Sequence, residues 1–187
     1  ALQALNLEIH ANEARVAYFL AVEIYRPRKD WIKMNKMLNL ALKNNPTEML
    51  EKPLELDDGK VLKTIADAVP IYKEEIWMSA FNETVNLVDS EKFEEALEKI
   101  NFAKSILEKV DNYITSSLLY LQIGDMKNAK KELNMAIKLD PDNYKTLKLL
   151  GDMEQQGPNP DLKQAKEYYQ KALVEADDKT EILEGLI

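Results

Sequence analysis

The chain has 187 residues and a formal net charge of −8, with 45% hydrophobic and 31% charged residues. Only 5 Gly and 7 Pro interrupt it, and no apolar run approaches the roughly 20 residues of a membrane span, so the composition indicates a soluble, helix-rich globular protein. The acidic balance disfavours nucleic acid as a partner, and the lack of cysteine excludes disulfides, thiol nucleophiles and cysteine-ligated zinc.

The N-terminal residues 1–14 predict the end of a helix that packs on the open side of the next helix pair. The chain begins at Ala1 with neither a methionine nor an apolar signal region, a start compatible with removal of a leader or anchor. A chain without cysteine suits reducing and oxidising compartments alike, so the localisation stays open between cytoplasm and periplasm.

The next stretch, residues 15–48, predicts two helices joined at "RPRKD". Pro27 ends the first helix, and Asp30 is placed to cap the second helix around Trp31.

Residues 49–76 break this pattern and predict a loop, a short helix near 60–68 and a new helix from Pro70 to about Val88, since proline suits the first turn of a helix. The sequence Asp57–Asp58–Gly59 lacks the ligand spacing of a calcium loop and predicts a turn.

The stretch "GDMKNAKKELNMAIKLDPDN" shows the pattern that recurs along the chain. Ala129, Leu133 and Ala136 lie on one helix face at i, i+4 and i+7, where small residues let a neighbouring helix approach closely. Gly124 permits a tight turn before this helix, and Pro141 begins the next unit. The same pattern returns 33 residues earlier at Ala96, Ile100 and Ala103, and after a longer turn at Ala165, Tyr169 and Ala172.

This pattern resembles the tetratricopeptide repeat, a 34-residue helix-turn-helix unit. The resemblance implies an all-α, right-handed superhelical solenoid of antiparallel helix pairs in one domain, 1–187. Its parts are units 15–48, 77–109, 110–143 and 144–179, an insert at 49–76 and a capping helix at 180–187. The departures from the repeat include Val22, Thr84 and Ser117 in the glycine position, and Glu154 in the tyrosine position.

The resemblance also implies a concave groove, lined by the first helix of each unit, that holds an extended peptide or a helix of a partner. The groove positions are Phe19, Glu23, Phe81, Asn82, Val85, Ile114, Leu118, Leu121, Lys148 and Asp152. Apolar Ile114 and Leu118 stand where a carboxylate clamp needs polar groups, which disfavours such a clamp. Alternatively, the insert at 49–69 folds back over the apolar groove residues and makes them part of the core.

No motif in the sequence predicts a catalytic residue, a metal ligand set or a cofactor site. His10 is the only histidine, and the sequence has no Gly-rich phosphate loop and no Ser–His–Asp arrangement. We therefore expect a non-catalytic protein-interaction scaffold whose partner is a protein or peptide of unknown identity. The alternative is a structural module that associates with itself through its terminal helices, as a homo-oligomer.

Overall fold

The computed structural model describes residues 13–176 and 178–185, so His10 and the predicted N-terminal helix end over residues 1–12 lie outside the described residues. The chain divides into two compact units, Ala1–Ser79 and Ala80–Ile187. That the two units act as one domain stays a prediction. The elements, in chain order, are α1 (Ala14–Phe19, continued by a π-helical segment, Leu20–Tyr25), α2 (Trp31–Asn44), β1 (Met49–Glu55), β2 (Val61–Thr64), α3 (Ile65–Asp89), α4 (Phe93–Ile106), α5 (Val110–Gln122), α6 (Met126–Leu139), α7 (Tyr144–Gln156), α8 (Leu162–Glu175) and α9 (Thr180–Glu184).

The first unit contains the first predicted helix pair, in which α1 and its π-helical continuation pack on α2. The predicted cap is confirmed, because Asp30 Oδ1 accepts a hydrogen bond from the Lys33 N–H at 3.2 Å. The contact faces are the predicted mixture of small and large residues. The residues of these faces that are fully buried are Ala17, Leu20, Ala21, Met34, Leu38 and Ala41.

The insert is a β-hairpin, and the predicted loop with a short helix near 60–68 is wrong. Strands β1 and β2 pair antiparallel, with Met49 opposite Thr64 and Leu54 opposite Leu62. The predicted turn at Asp58–Gly59 is confirmed, since Gly59 has a φ of +81° and Asp58 Oδ1 accepts from the Lys60 N–H at 2.9 Å. An Asp-Gly turn between two extended segments is a strong hairpin signal, and here it decides the local structure.

Helix α3 begins at Ile65, five residues before the predicted start at Pro70, and ends at Asp89. The earlier start follows from a reciprocal cap: the Asp67 N–H donates to Thr64 Oγ1 at 3.2 Å, and the Thr64 N–H donates to Asp67 Oδ2 at 3.1 Å. Pro70 therefore lies inside the helix, where it supplies no N–H to the carbonyl four residues earlier. The cap and the helical segment after Pro70 outweigh that missing bond.

The second unit consists of helices that pack in sequence: α4 on α5, α5 on α6, α6 on α7, α7 on α8, and α8 on the short α9. The predicted tight turn is confirmed by a φ of +81° at Gly124. Ala129, Leu133 and Ala136 are fully buried, as their spacing predicted. Helix pairs that pack in sequence are typical of tetratricopeptide repeats, so the prediction of a mainly helical chain built from such pairs is confirmed, with the hairpin as its non-helical addition. The right-handed superhelical course of the pairs stays a prediction.

Two buried hydroxyl groups in α5 are unsatisfied. Ser116 and Ser117 are fully buried, and neither Oγ has a hydrogen-bond partner among the described residues. Thr84, which occupies the same position as Ser117 in the preceding predicted repeat, instead donates its hydroxyl to the Ala80 carbonyl at 2.9 Å. The two serines therefore weaken α5, because each buried hydroxyl has lost its bonds to water and has no replacement.

The last helix pair closes around Tyr169, whose side chain is buried. Its hydroxyl donates to Asp152 Oδ1 at 2.7 Å and lies 2.9 Å from Gln155 Oε1. Gly151 and Gly185 flank the ring so closely that a Cβ on either would lie within 3 Å of ring carbons. The absence of a side chain at both glycines is what allows α7, α8 and the segment after α9 to pack around this ring.

Candidate partner-binding cleft

The first wall of the candidate site is the exposed face of α1 and its π-helical continuation. Val16, Phe19, Val22 and Glu23 lie on this face, while the opposite face is buried against α2. The Phe19 side chain is 42% exposed. The Arg26 N–H donates to the Ala21 carbonyl, five residues earlier, at 3.0 Å, which is the hydrogen bond of a π-helix. Segments of this kind are frequent at functional sites.

The second wall is the first strand of the hairpin, and the two walls enclose a cleft of about 510 Å³. Helix α3 supplies the floor through Ile65 and Tyr72. All the residues that form the cleft belong to the first unit. They are Arg15, Val16, Tyr18, Phe19, Val22, Glu23, Arg26, Glu48, Met49, Leu50, Glu51, Lys52, Pro53, Leu54, Ile65 and Tyr72.

Two arginines hold the walls and floor together. Arg15 Nη2 on α1 lies 2.7 Å from Glu48 Oε1, and Arg15 Nη1 lies 3.7 Å from Glu51 Oε1 on the hairpin. Arg26 Nε lies 2.9 Å from Glu75 Oε2 on α3, and its guanidinium carbon is 5.2 Å from the centre of the Tyr72 ring. Exposed ion pairs contribute little stability, so the main effect of these pairs is to offset the charge of both arginines.

The floor of the cleft carries a pair of tyrosines. The rings of Tyr18 and Tyr72 meet edge to face, with centroids 6.0 Å apart and planes at 69°. Burial, followed by the hydrogen bond with Tyr72, raises the pKa of Tyr18 well above the ordinary tyrosine value. The Tyr18 hydroxyl therefore stays protonated at neutral pH, and the floor carries no charge of its own besides the paired Arg26.

The structure brings two of the predicted groove residues together, since Phe19 and Glu23 both line this cleft. In the second unit, Val85 and Leu118 are each 43% exposed, as a groove position requires, whereas Ile114 is only 9% exposed and packs inside. Asn82 is exposed, and Phe81 and Leu121 are half-buried.

The two predicted polar groove residues of the last pair serve packing within the second unit. Lys148 Nζ lies 3.0 Å from Asp152 Oδ2, and the other carboxylate oxygen of Asp152 accepts from the Tyr169 hydroxyl. A partner that bound Asp152 would have to compete with both contacts. These two positions are therefore weaker candidates for recognition than Phe19 and Glu23.

Sequence reasoning missed the hairpin wall, including Met49 and Leu54. The available signal was the Asp58–Gly59 pair, which predicted a turn but was not connected to flanking strands. Among the described residues, no group of three or more His, Asp or Glu side chains is arranged to hold a metal ion. Within residues 13–176 and 178–185, no helix has both the length and the apolar character that a membrane span requires.

Comparison with known proteins gives a likeness of fold. No protein-family model matches the sequence, and no curated protein matches it. Among solved structures, the chain is similar to "MamA RS-1 ArsTM double mutant", with 15% sequence identity, coverage of 91% of this chain and 82% of that chain, and a TM-score of 0.47. A likeness at this level carries no information about function.

Proposed function

We propose that this protein is a non-catalytic interaction scaffold that binds a peptide or helix of a partner protein on the first helices of its helix pairs. The observation that carries the proposal is the cleft of the first unit, where Phe19 and Val22 face a space large enough for side chains of another chain. Concave sites with apolar walls and a few polar groups are the usual form of a binding site. The predicted groove residues Val85 and Leu118 add exposed apolar surface in the second unit.

The charge distribution favours a basic partner. Residues 80–187 carry 14 Lys and Arg against 21 Asp and Glu, whereas residues 1–79 are nearly balanced with 11 against 12. A negative field of this size steers cationic partners and raises their association rate, and it does so less at high salt. Basic residues flanking the bound segment are therefore part of the proposal.

The proposal is tested with a partner recovered by co-purification from cells that produce the protein. Calorimetry then compares wild type with Phe19→Ala and Leu118→Ala, after circular dichroism has established that each variant is folded. Loss of a buried anchor costs about 1–3 kcal/mol, so we expect affinity to fall roughly tenfold to a hundredfold.

The matched control is Ile32→Ala, since Ile32 is 71% exposed and lies outside both the predicted groove and the cleft. This control should keep wild-type affinity. Equal affinities for wild type, Phe19→Ala and Leu118→Ala would place the binding surface elsewhere.

A second candidate function is self-association through the C-terminal helices. Val174 on α8 and Leu183 on α9 leave apolar side chains exposed near this end of the described chain. Light scattering over a concentration series distinguishes the two functions. A mass that rises with concentration in wild type, and not in Val174→Lys, supports self-association, whereas a constant monomer mass contradicts it.

A further inference from the structure

Strand β1, which forms one wall of the cleft, presents its backbone edge to the cleft. Successive side chains of a β-strand point to opposite faces, so a cleft against one face is lined by every second residue. Here the seven consecutive residues from Glu48 to Leu54 all line the cleft. The backbone edge of β1 therefore faces the cleft together with side chains from both of its faces.

Backbone N–H and carbonyl groups along this edge of β1 are available to pair with another strand. The sheet has two strands, so the edge of β1 that does not face β2 has no neighbouring strand in the described part of the chain. Among the described residues, none of the backbone hydrogen bonds of turns and loops uses an N–H or carbonyl from Leu50 to Pro53.

The charges along the cleft indicate which charge a bound segment should carry. Arg15 and Arg26 are already neutralised by Glu48 and Glu75, so they do not attract an acidic segment. Glu23 on the helix wall is exposed, and Arg26, whose charge acts on it, is already in direct contact with Glu75. Lys52 precedes Pro53 at the end of the edge, and lysine and proline at such a place limit how far another strand pairs.

We propose that the cleft binds an extended segment of a partner protein, which adds to the edge of β1 as a further strand. This inference rests on the proposed function and specifies its binding mode. Backbone groups of alternate residues within Leu50–Pro53 pair with the segment, an apolar side chain of the segment packs on Phe19 and Val22, and a neighbouring basic side chain faces Glu23. At about 3.3 Å per residue, the edge accommodates roughly four residues of the segment before Pro53 removes the next donor.

The test uses two fluorescent nine-residue peptides of four leucines and five lysines, with the full-length protein. In the first peptide the two residue types alternate, which favours a strand, and in the second they follow helical spacing. Fluorescence anisotropy at physiological salt should show that the alternating peptide binds. Its affinity should fall at least about tenfold in Phe19→Ala and should be unchanged in Ile32→Ala.

N-methylation then separates strand addition from simple apolar contact. The N–H groups of alternate residues in a strand point to opposite edges, so methylating all leucines or all lysines blocks one edge at a time. We expect one of these two peptides to lose about tenfold or more in affinity and the other to bind nearly as the parent does.

Equal binding by both methylated peptides overturns the strand-addition mode. Binding of the helical peptide alone, with dependence on Phe19, also overturns it but leaves the proposed function standing. If no peptide depends on Phe19, both the proposed function at this cleft and the binding mode fail.

Discussion

Gly151→Ala is expected to destabilise the protein because of the ring packed against it. A Cβ at this position would lie 2.7 Å from Tyr169 Cε1 and 2.9 Å from Cδ1. The ring has little room to move, since a Cβ at Gly185 would also lie close, 2.6 Å from Tyr169 Cζ, and the hydroxyl is held by Asp152 and Gln155. The added methyl group therefore overpacks a closed site.

The magnitude follows from two opposing effects. Overpacking a well-packed core costs about 1–3 kcal/mol, whereas alanine in a helix interior gains about 0.5–1 kcal/mol over glycine. The net loss in the free energy of unfolding is thus roughly 0–2.5 kcal/mol, or about 1 kcal/mol at the midpoints of the two ranges. Urea denaturation followed by circular dichroism measures it as a lower midpoint with an unchanged slope.

Ser117→Ala is the matched control, because Ser117 occupies the same repeat position in α5 and has a buried, unsatisfied hydroxyl. Removing that hydroxyl should leave stability unchanged or raise it by up to about 1–2 kcal/mol. In a Tyr169→Leu background the ring atoms are gone, so Gly151→Ala should become neutral or stabilising. The overpacking explanation is refuted if Gly151→Ala destabilises the protein equally with Tyr169 and with leucine at that position.

Three further outcomes are expected. Ala136→Leu should lower the free energy of unfolding by about 1–3 kcal/mol, since Ala136 is fully buried; a wild-type melting temperature would contradict its packing role. Thr64→Ala should cost about 1 kcal/mol through loss of the α3 cap, whereas Thr64→Ser should retain most of the stability in the same urea titration. Burial, followed by the hydrogen bond to Glu108, raises the pKa of Tyr113 to about 12, so its contribution to stability is present below about pH 10 and is lost as pH rises through 12. Ultraviolet titration of wild type and Tyr113→Phe measures this step, and a Tyr113 that ionises near pH 10 would contradict the assignment.

The helix pairs could be predicted from the sequence because their contacts recur at helical spacing. Ala129, Leu133 and Ala136 show that close packing of two helices restricts residue size, so the pattern remains visible without any knowledge of the partner helix. The cap at Asp30 and the turn at Gly124 were equally predictable, since each depends on a few adjacent residues. Local chemistry was sufficient at all of these positions.

The hairpin could not be predicted by the same reasoning. Leu50 and Leu62 are buried by contacts between segments that helical spacing does not connect, and Pro70 suggested a helix start that the Thr64–Asp67 cap overrides. Half of the candidate cleft was missed for this reason. Phe19 and Glu23 were predicted through the repeat, whereas the facing strand has no counterpart in the repeat pattern.

The ion pairs of the cleft have a consequence for the order of folding. Arg15 and Glu48 are 33 residues apart and Arg26 and Glu75 are 49 apart, whereas Tyr169 bonds to Gln155 only 14 residues away. Closing a longer loop costs more chain entropy, and contacts between distant residues slow folding. The helix pairs of the second unit are thus expected to form rapidly from local contacts. On the ribosome, the cleft cannot be completed until the chain has emerged as far as Glu75, so a growing chain lacks the cleft until nearly the whole first unit has been made.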